Sequence, residues 1–197
     1  MRVPLMIDAT FLRPVIIGCG PVARMKARTL CRYGVRCRMV GPEPPVWETV
    51  PQPEPLWTAG LYEAEQLAGA NLVIAATADE ALNARICEEA GQIGIAAVNV
   101  SQGSLGTASL PRAASLGDIT LTVATEGASP AAGERILAEL TQQLEQAQWP
   151  QRIALLKEMR QRLKTQVPDR QRRQMLLREL AGLSLEDLLQ RRSLYED

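Results

Sequence analysis

Histidine is missing from all 197 residues, which removes the commonest metal ligand and the commonest general base near neutral pH. Nucleophilic centres built on a histidine base are excluded and a mixed His/Cys zinc site is untenable, so no metal is expected. Net charge is missing too. The chain balances 22 Lys and Arg against 22 Asp and Glu, so no global field draws it to nucleic acid or to an anionic membrane. The four cysteines, Cys19, Cys31, Cys37 and Cys87, form no CxxC pair, and the first 15 residues carry no charged-then-apolar signal pattern. Free thiols in a reducing cytoplasm are the natural expectation. No apolar stretch approaches the roughly 20 residues that span a bilayer.

Hydrophobic residues make up 46% of the chain, enough for one moderate domain with a real core plus an appendage. The charge balance hides an asymmetry, since residues 150–197 hold 11 Lys and Arg against 7 Asp and Glu. Such a surplus reads either as a solvated helical face or as a surface that attracts an anionic ligand.

The strongest motif lies at residues 14–24, PVIIGCGPVAR. An apolar run to Ile17 drives into Gly18, Cys19, Gly20, Pro21, Val22 and Ala23, the GxGxxA form of the dinucleotide-binding fingerprint. Gly18 permits the tight turn out of a strand, Gly20 lets backbone amides approach a pyrophosphate, and Ala23 lets the following helix pack close to the sheet. A negative group is then favoured at the helix N-terminus. The spacing predicts a first strand at Pro14–Ile17, a helix over Pro21–Tyr33 stopped by Gly34, and a second strand over Val35–Val40. Glu43 lies 25 residues beyond Gly18, close to the offset at which an acid meets the adenosine ribose. Its alternative is a solvent-facing carboxylate in a loop; Arg36 and Arg38 nearby are candidates to receive a 2′-phosphate instead.

Six prolines between residues 41 and 57 predict an extended loop, either a connector or a lid over a ligand. Asn71–Ala76 and Ile95–Val100 read as buried parallel strands, with Glu80–Ala90 as a helix between them. The strand Asn71–Ala76 ends at Thr77, Ala78 and Asp79, where small residues let the adenosine or ribose side of a nucleotide approach backbone. Ile119–Thr125 alternates like a strand. Beyond Pro130 the period becomes 3.6: Ile136, Leu137, Leu140 and Leu144 share one helical face, and Ile153, Leu156, Met159, Leu163 and Val167 share another. Breaks are expected at Trp149-Pro150 and Val167-Pro168-Asp169, and Ser184 with Asp187 forms an N-cap pair ahead of a last short helix.

The order of these pieces resembles the precorrin-2 dehydrogenase family: free-standing bacterial enzymes and the dehydrogenase module of siroheme synthase, some of which double as sirohydrochlorin ferrochelatases. The matching segments are PLMID from Pro4, GCGPVARMKA from Gly18, VGPE from Val40, AATADEALN from Ala75, VNV from Val98, LPRAASLGDITLTVAT from Leu110 and EGASPAAGERILAEL from Glu126. The resemblance implies oxidation of precorrin-2 to sirohydrochlorin with NAD as cofactor and a homodimer formed through residues 133–180. It places Pro21 and Val22 at the cofactor turn, Pro42 and Glu43 at the adenosine side and Ala76 and Thr77 at the far edge. Ala124, Thr125, Gly127 and Ser129 then border the tetrapyrrole.

One departure stands out. Where the family carries an aspartate just after VNV, this chain reads Ser101 and Gln102. Neither side chain is a base near neutral pH, although both can hydrogen-bond a substrate carboxylate. Asp79 and Asp118 are the alternative acids, and chelatase activity is not expected. Three functions stay open: an active NAD-dependent precorrin-2 dehydrogenase; a non-catalytic tetrapyrrole-binding homologue acting as carrier, sensor or partner subunit; and an unrelated Rossmann oxidoreductase. The expected architecture is α/β, a Rossmann-like doubly wound parallel sheet over residues 1–112. A small α+β dimerisation segment over 113–147, starting with the 119–125 strand, and a helical C-terminal domain over 148–197 follow.

Overall fold

Pro14–Ile17 forms strand β1, and all four of its residues are buried. Arg38–Gly41 (β2), Leu56–Ala59 (β3), Leu72–Ala75 (β4) and Ala96–Asn99 (β5) lie parallel to it in the order β3-β2-β1-β4-β5. Both faces of the central strands are covered, which is why they read as unbroken apolar runs rather than alternating ones. Ile16, Leu72, Ile74 and Ala76 pack with Ala23, Ala27 and Leu30 of helix α1 (Pro21–Cys31) on one face. Val15, Ile17, Val73 and Ala75 pack with Ile86, Cys87 and Ala90 of helix α2 (Glu80–Gln92) on the other. The chain leaves β1 for β2 on one side and returns to β4 on the other, creating a topological switch point at the carboxyl ends of β1 and β4.

This computed structural model describes residues 2–193 and divides into two units between Leu110 and Pro111. The second unit begins with an antiparallel hairpin, Arg112–Leu116 (β6) and Ile119–Val123 (β7), turned at Gly117 and Asp118. Helices α3 (Pro130–Gln146), α4 (Trp149–Gln166), α5 (Arg170–Ala181) and α6 (Leu185–Ser193) follow. Leu155, Met159 and Leu163 of α4 meet Leu180 of α5 and Leu188 of α6 in a separate apolar cluster. Ser184 caps the last helix, its hydroxyl accepting from the Asp187 backbone N–H at 3.1 Å. Residues 194–197 lie outside the described range.

Two strands correct the expectation from sequence. The proline-rich segment read as irregular through residue 57 delivers β3, paired in parallel with β2 from Arg38–Leu56 to Gly41–Ala59 and joined at its start by Leu56 N–H to the carbonyl of Cys37, just ahead of β2, at 2.9 Å. It is an edge strand exposed at all four positions, so no apolar pattern marks it. The hairpin likewise starts at Arg112 rather than at residue 119, because its alanine-rich first strand takes its conformation from its partner. α1 also stops at Cys31, two residues short of the expected Tyr33, with Gly34 at φ +75° completing the turn.

Candidate functional site

The first βα crossing is shaped by two glycines for different reasons. Gly18 sits at φ +115°, and a Cβ there would lie 2.3 Å from the Ala76 carbonyl oxygen. Its N–H donates to the Val40 carbonyl at 2.7 Å, while the Ala76 N–H donates to Ile17 at 2.8 Å, so the exit of β1 is wedged between β2 and β4. Gly20 is the N-cap of α1 in an ordinary extended conformation, φ −69°. A Cβ on it would meet nothing within 4 Å. The space above that helix end is open, no side chain caps it and no acid occupies its first turn. Unpaired N–H groups of an 11-residue helix therefore face an open crevice, which is the arrangement a diphosphate fits. Pro21 starts the helix, Val22 is exposed, and Ala23 is fully buried against the sheet.

Pro42 and Glu43 follow β2 at the same carboxyl-end edge, both exposed. Gly41 ends β2 against Cys19: a Cβ there would lie 2.8 Å from the Cys19 sulfur. Burial pushes the Cys19 thiol above its ordinary pKa. The two arginines expected to compete with Glu43 for a phosphate do not reach it. Arg38 begins β2, at the opposite end of the strand, and donates to the carbonyls of Gln66 and Ala68 at 3.0 Å each; Arg36 lies further back still. Side chains of α1 hold the proline-rich loop. Arg24 donates to the Val46 carbonyl, Arg28 to Thr49 at 3.3 Å, and the Arg28 guanidinium lies 5.6 Å from the Trp47 ring centre. A groove of about 650 Å³ runs between this loop and α1.

Ala76 and Thr77 follow β4 and belong to a network that sequence reasoning missed. Asn83, fully buried in α2, accepts from the Thr77 backbone N–H at 3.0 Å and from the Thr77 hydroxyl at 2.8 Å. Its amide donates to the Thr77 carbonyl at 3.1 Å and to the Ser101 hydroxyl oxygen at 2.7 Å. One side chain thus ties the end of β4 to the end of β5. The available signal was an asparagine, a poor helix former, inside a helix that starts with Asp79. Asn99, 5% exposed, accepts from the backbone N–H groups of Ser101 (3.0 Å) and Gln102 (2.8 Å). Its Nδ2 has no hydrogen-bond partner and bears instead on the Cys87 thiol, which burial raises and Asn99 partly lowers.

Both alternative acids are engaged in structure. Asp79 caps α2, accepting from the N–H groups of Ala81 (2.9 Å) and Leu82 (3.0 Å). Asp118, in the hairpin turn, pairs with Lys157 at 2.8 Å. The remaining sequence-derived residues lie in the second unit, in the turn from β7 into α3. Ala124 and Thr125 follow the strand, Glu126 and Gly127 take positive φ, and Ser129 caps the helix by accepting from Ala132 at 3.1 Å. Thr125 donates to the Ser129 carbonyl at 3.2 Å, closing that turn on itself. Among the described residues no group of three or more His, Cys, Asp or Glu is placed to hold a metal, and no helix is long and apolar enough to cross a membrane.

An open helix N-terminus at the switch point of a doubly wound sheet defines a dinucleotide-binding protein of the Rossmann class. Residues 5–112 match the family model described as "Putative NAD(P)-binding". The siroheme synthase of Ectopseudomonas mendocina is 36% identical over 163 residues, covering 82% of this chain and 35% of the relative. The precorrin-2 dehydrogenase of Bacillus subtilis is 32% identical over 130 residues, covering 64% of this chain and 79% of the relative. The chain belongs to the family of the precorrin-2 dehydrogenases and siroheme synthases. It spans about a third of the length of the siroheme synthases it matches. Its fold is that of a solved structure, "SirC, precorrin-2 dehydrogenase", with a TM-score of 0.75, 21% identity and coverage of 96% of this chain and 98% of that one.

Proposed function

We propose that this chain is an NAD-dependent precorrin-2 dehydrogenase that oxidises precorrin-2 to sirohydrochlorin. The observation that carries the reading is the uncapped N-terminus of α1 beside the Gly18–Ala76 contact, in a chain of this family. NAD, when bound, supplies the hydride acceptor. Gly18, Gly20, Pro21, Val22 and Ala23 form the diphosphate turn; Pro42 and Glu43 meet the adenosine ribose; Ala76 and Thr77 line the opposite edge. In the first unit Ser101 and Gln102 contact the tetrapyrrole, and in the second Ala124, Thr125, Gly127 and Ser129 carry the same role. Each turnover moves one hydride to NAD and releases one proton. With an amide at Gln102, Asp79 capping α2 and Asp118 paired with Lys157, that proton passes to water, which an oxidation yielding a more conjugated macrocycle allows.

The chain acts as a homodimer. Support comes from α3, which leaves Ile136 43% and Leu140 40% exposed on its apolar face, within the proposed dimerisation segment 113–147. Incubation with enzymatically generated precorrin-2 and NAD should produce the sirohydrochlorin spectrum together with NADH fluorescence. Tight tetrapyrrole binding without turnover would instead establish a non-catalytic carrier, sensor or partner subunit. Calorimetry with NAD and NADP tests the Glu43 assignment, because a carboxylate facing the ribose repels a 2′-phosphate and Glu43→Gln should narrow the preference.

A further inference from the structure

We infer that Asn83 is a positioning residue, holding the Ser101 hydroxyl so that its proton points away from the protein as a donor to an acceptor oxygen of the bound reactants. The inference rests on the dehydrogenase reading and adds a residue and a polarity to it. All four hydrogen-bonding positions of the Asn83 amide have partners: its oxygen accepts from Thr77 N–H (3.0 Å) and lies 2.8 Å from the Thr77 hydroxyl, whose single proton it shares with the Asp79 carbonyl (3.0 Å), and its NH2 donates to the Thr77 carbonyl (3.1 Å) and to Ser101 Oγ (2.7 Å). Its orientation is dictated, since a flipped amide would set its NH2 against the Thr77 N–H and its oxygen against the Thr77 carbonyl.

Ser101 Oγ is therefore an acceptor toward the protein. A hydroxyl carries a single proton, and with Asn83 donating, that proton must go elsewhere. Ser101 is exposed at the carboxyl end of β5, and its backbone N–H is held by Asn99 at 3.0 Å. The side chain is thus fixed at both ends before any ligand arrives. Gln102 differs: its backbone is held by Asn99 at 2.8 Å, but its long side chain must lose rotamer freedom to make the same contact. A pre-set neutral donor at this edge suits an acceptor oxygen: a carboxylate of the tetrapyrrole or the carboxamide oxygen of the nicotinamide.

The test compares Asn83→Asp, Ser101→Ala, their combination and Ser101→Thr. Asn83→Asp keeps the shape but turns a donor into an acceptor, so the Ser101 proton swings inward. Dissociation constants for NAD and for sirohydrochlorin are read without turnover, beside KM and kcat for precorrin-2 and urea midpoints. Asn83→Asp and Ser101→Ala should each weaken the same constant by about tenfold or more, as loss of a hydrogen bond to a ligand does. The combination should be no worse than Ser101→Ala alone, because both remove one contact. Ser101→Thr, which keeps a hydroxyl, should recover most of the loss. Weakened sirohydrochlorin binding identifies the carboxylate as the acceptor, and weakened NAD binding the carboxamide.

Ser101→Ala with both constants unchanged overturns the inference, as does an additive double variant. Should Asn83→Asp fail to fold, Ser101→Ala against Ser101→Thr decides alone. Wild-type protein that binds both ligands but does not oxidise precorrin-2 would sink the dehydrogenase reading and leave this comparison readable.

Discussion

Replacing Gly18 and Gly20 by alanine, one at a time, should separate folding from cofactor binding. At Gly18 the new methyl would stand 2.3 Å from the Ala76 oxygen and 2.7 Å from the Ala76 carbonyl carbon, where ordinary contact begins at 3.4 Å. Both are backbone atoms, so β4 must retreat by about 1 Å from β1, a shift that forfeits much of the packing along that edge. The hydrogen bonds Gly18 N–H to Val40 at 2.7 Å and Ala76 N–H to Ile17 at 2.8 Å lie across the displaced contact, each worth about 1 kcal/mol. Holding alanine at φ +115° adds about 1–3 kcal/mol. Together these give about 3–5 kcal/mol against a total stability of about 5–15 kcal/mol. With a urea slope of about 2 kcal/mol per M, the unfolding midpoint should fall by about 2 M. Gly20→Ala has no such obstacle and should cost less than about 1 kcal/mol as an N-cap change. Its methyl projects into the crevice, so NAD affinity measured by calorimetry should drop by about a hundredfold, the loss of two charge-assisted contacts. Equal destabilisation by the two variants, or a Gly20→Ala protein with native NAD affinity, would refute the division of roles.

Three further outcomes follow from residues already placed. Gln102→Asp should speed ferrous-iron insertion into sirohydrochlorin about tenfold or more over wild type, followed by absorbance, because a carboxylate accepts the departing pyrrole protons; equal rates would contradict the expectation that the absent carboxylate costs this chain chelatase activity. Burial, reinforced by the nearby Cys31, pushes the Cys37 thiol from 9.0 up to about 12. The folded state favours the neutral thiol, so its contribution to stability is intact below pH 9 and lost as the pH rises toward 12. Urea midpoints should decline across that alkaline range, and Cys37→Ala should flatten the decline. Wild-type protein should sediment as the proposed dimer, and Ile136→Lys combined with Leu140→Lys as a monomer without loss of helical circular dichroism; a monomeric wild type would refute the proposed dimer, and a dimeric double variant would place its interface elsewhere.

What could be read from residues alone was whatever local chemistry decides. The apolar runs of β1, β4 and β5 announce strands buried on both faces, and the Gly18-Gly20-Ala23 spacing announces the crossing, because each glycine answers a local steric demand. β3 and β6 carry no such mark: Leu56–Ala59 is exposed throughout, and Arg112–Leu116 is extended because β7 lies beside it. Arg36 and Arg38 were misleading for a related reason. Five to seven residues of sequence separate them from Glu43, but a strand places them at its other end. Asn83 carried only the faint mark of an asparagine inside a helix, and its role stayed hidden because three of its four partnerships are with Thr77 and the fourth reaches Ser101 from another loop. Only the folded chain brings those loops together.

The prolines ahead of β3 have an effect beyond hiding it. An uncovered sheet margin bearing Leu56 and Trp57, 54% and 40% exposed, invites a neighbouring molecule to add its own backbone and begin aggregation. Pro51, Pro53 and Pro55 carry no amide hydrogen, so on the amino-terminal side of β3 every second residue lacks a donor and the ladder cannot extend that way. The composition that disguised this strand also keeps it from seeding intermolecular sheet growth.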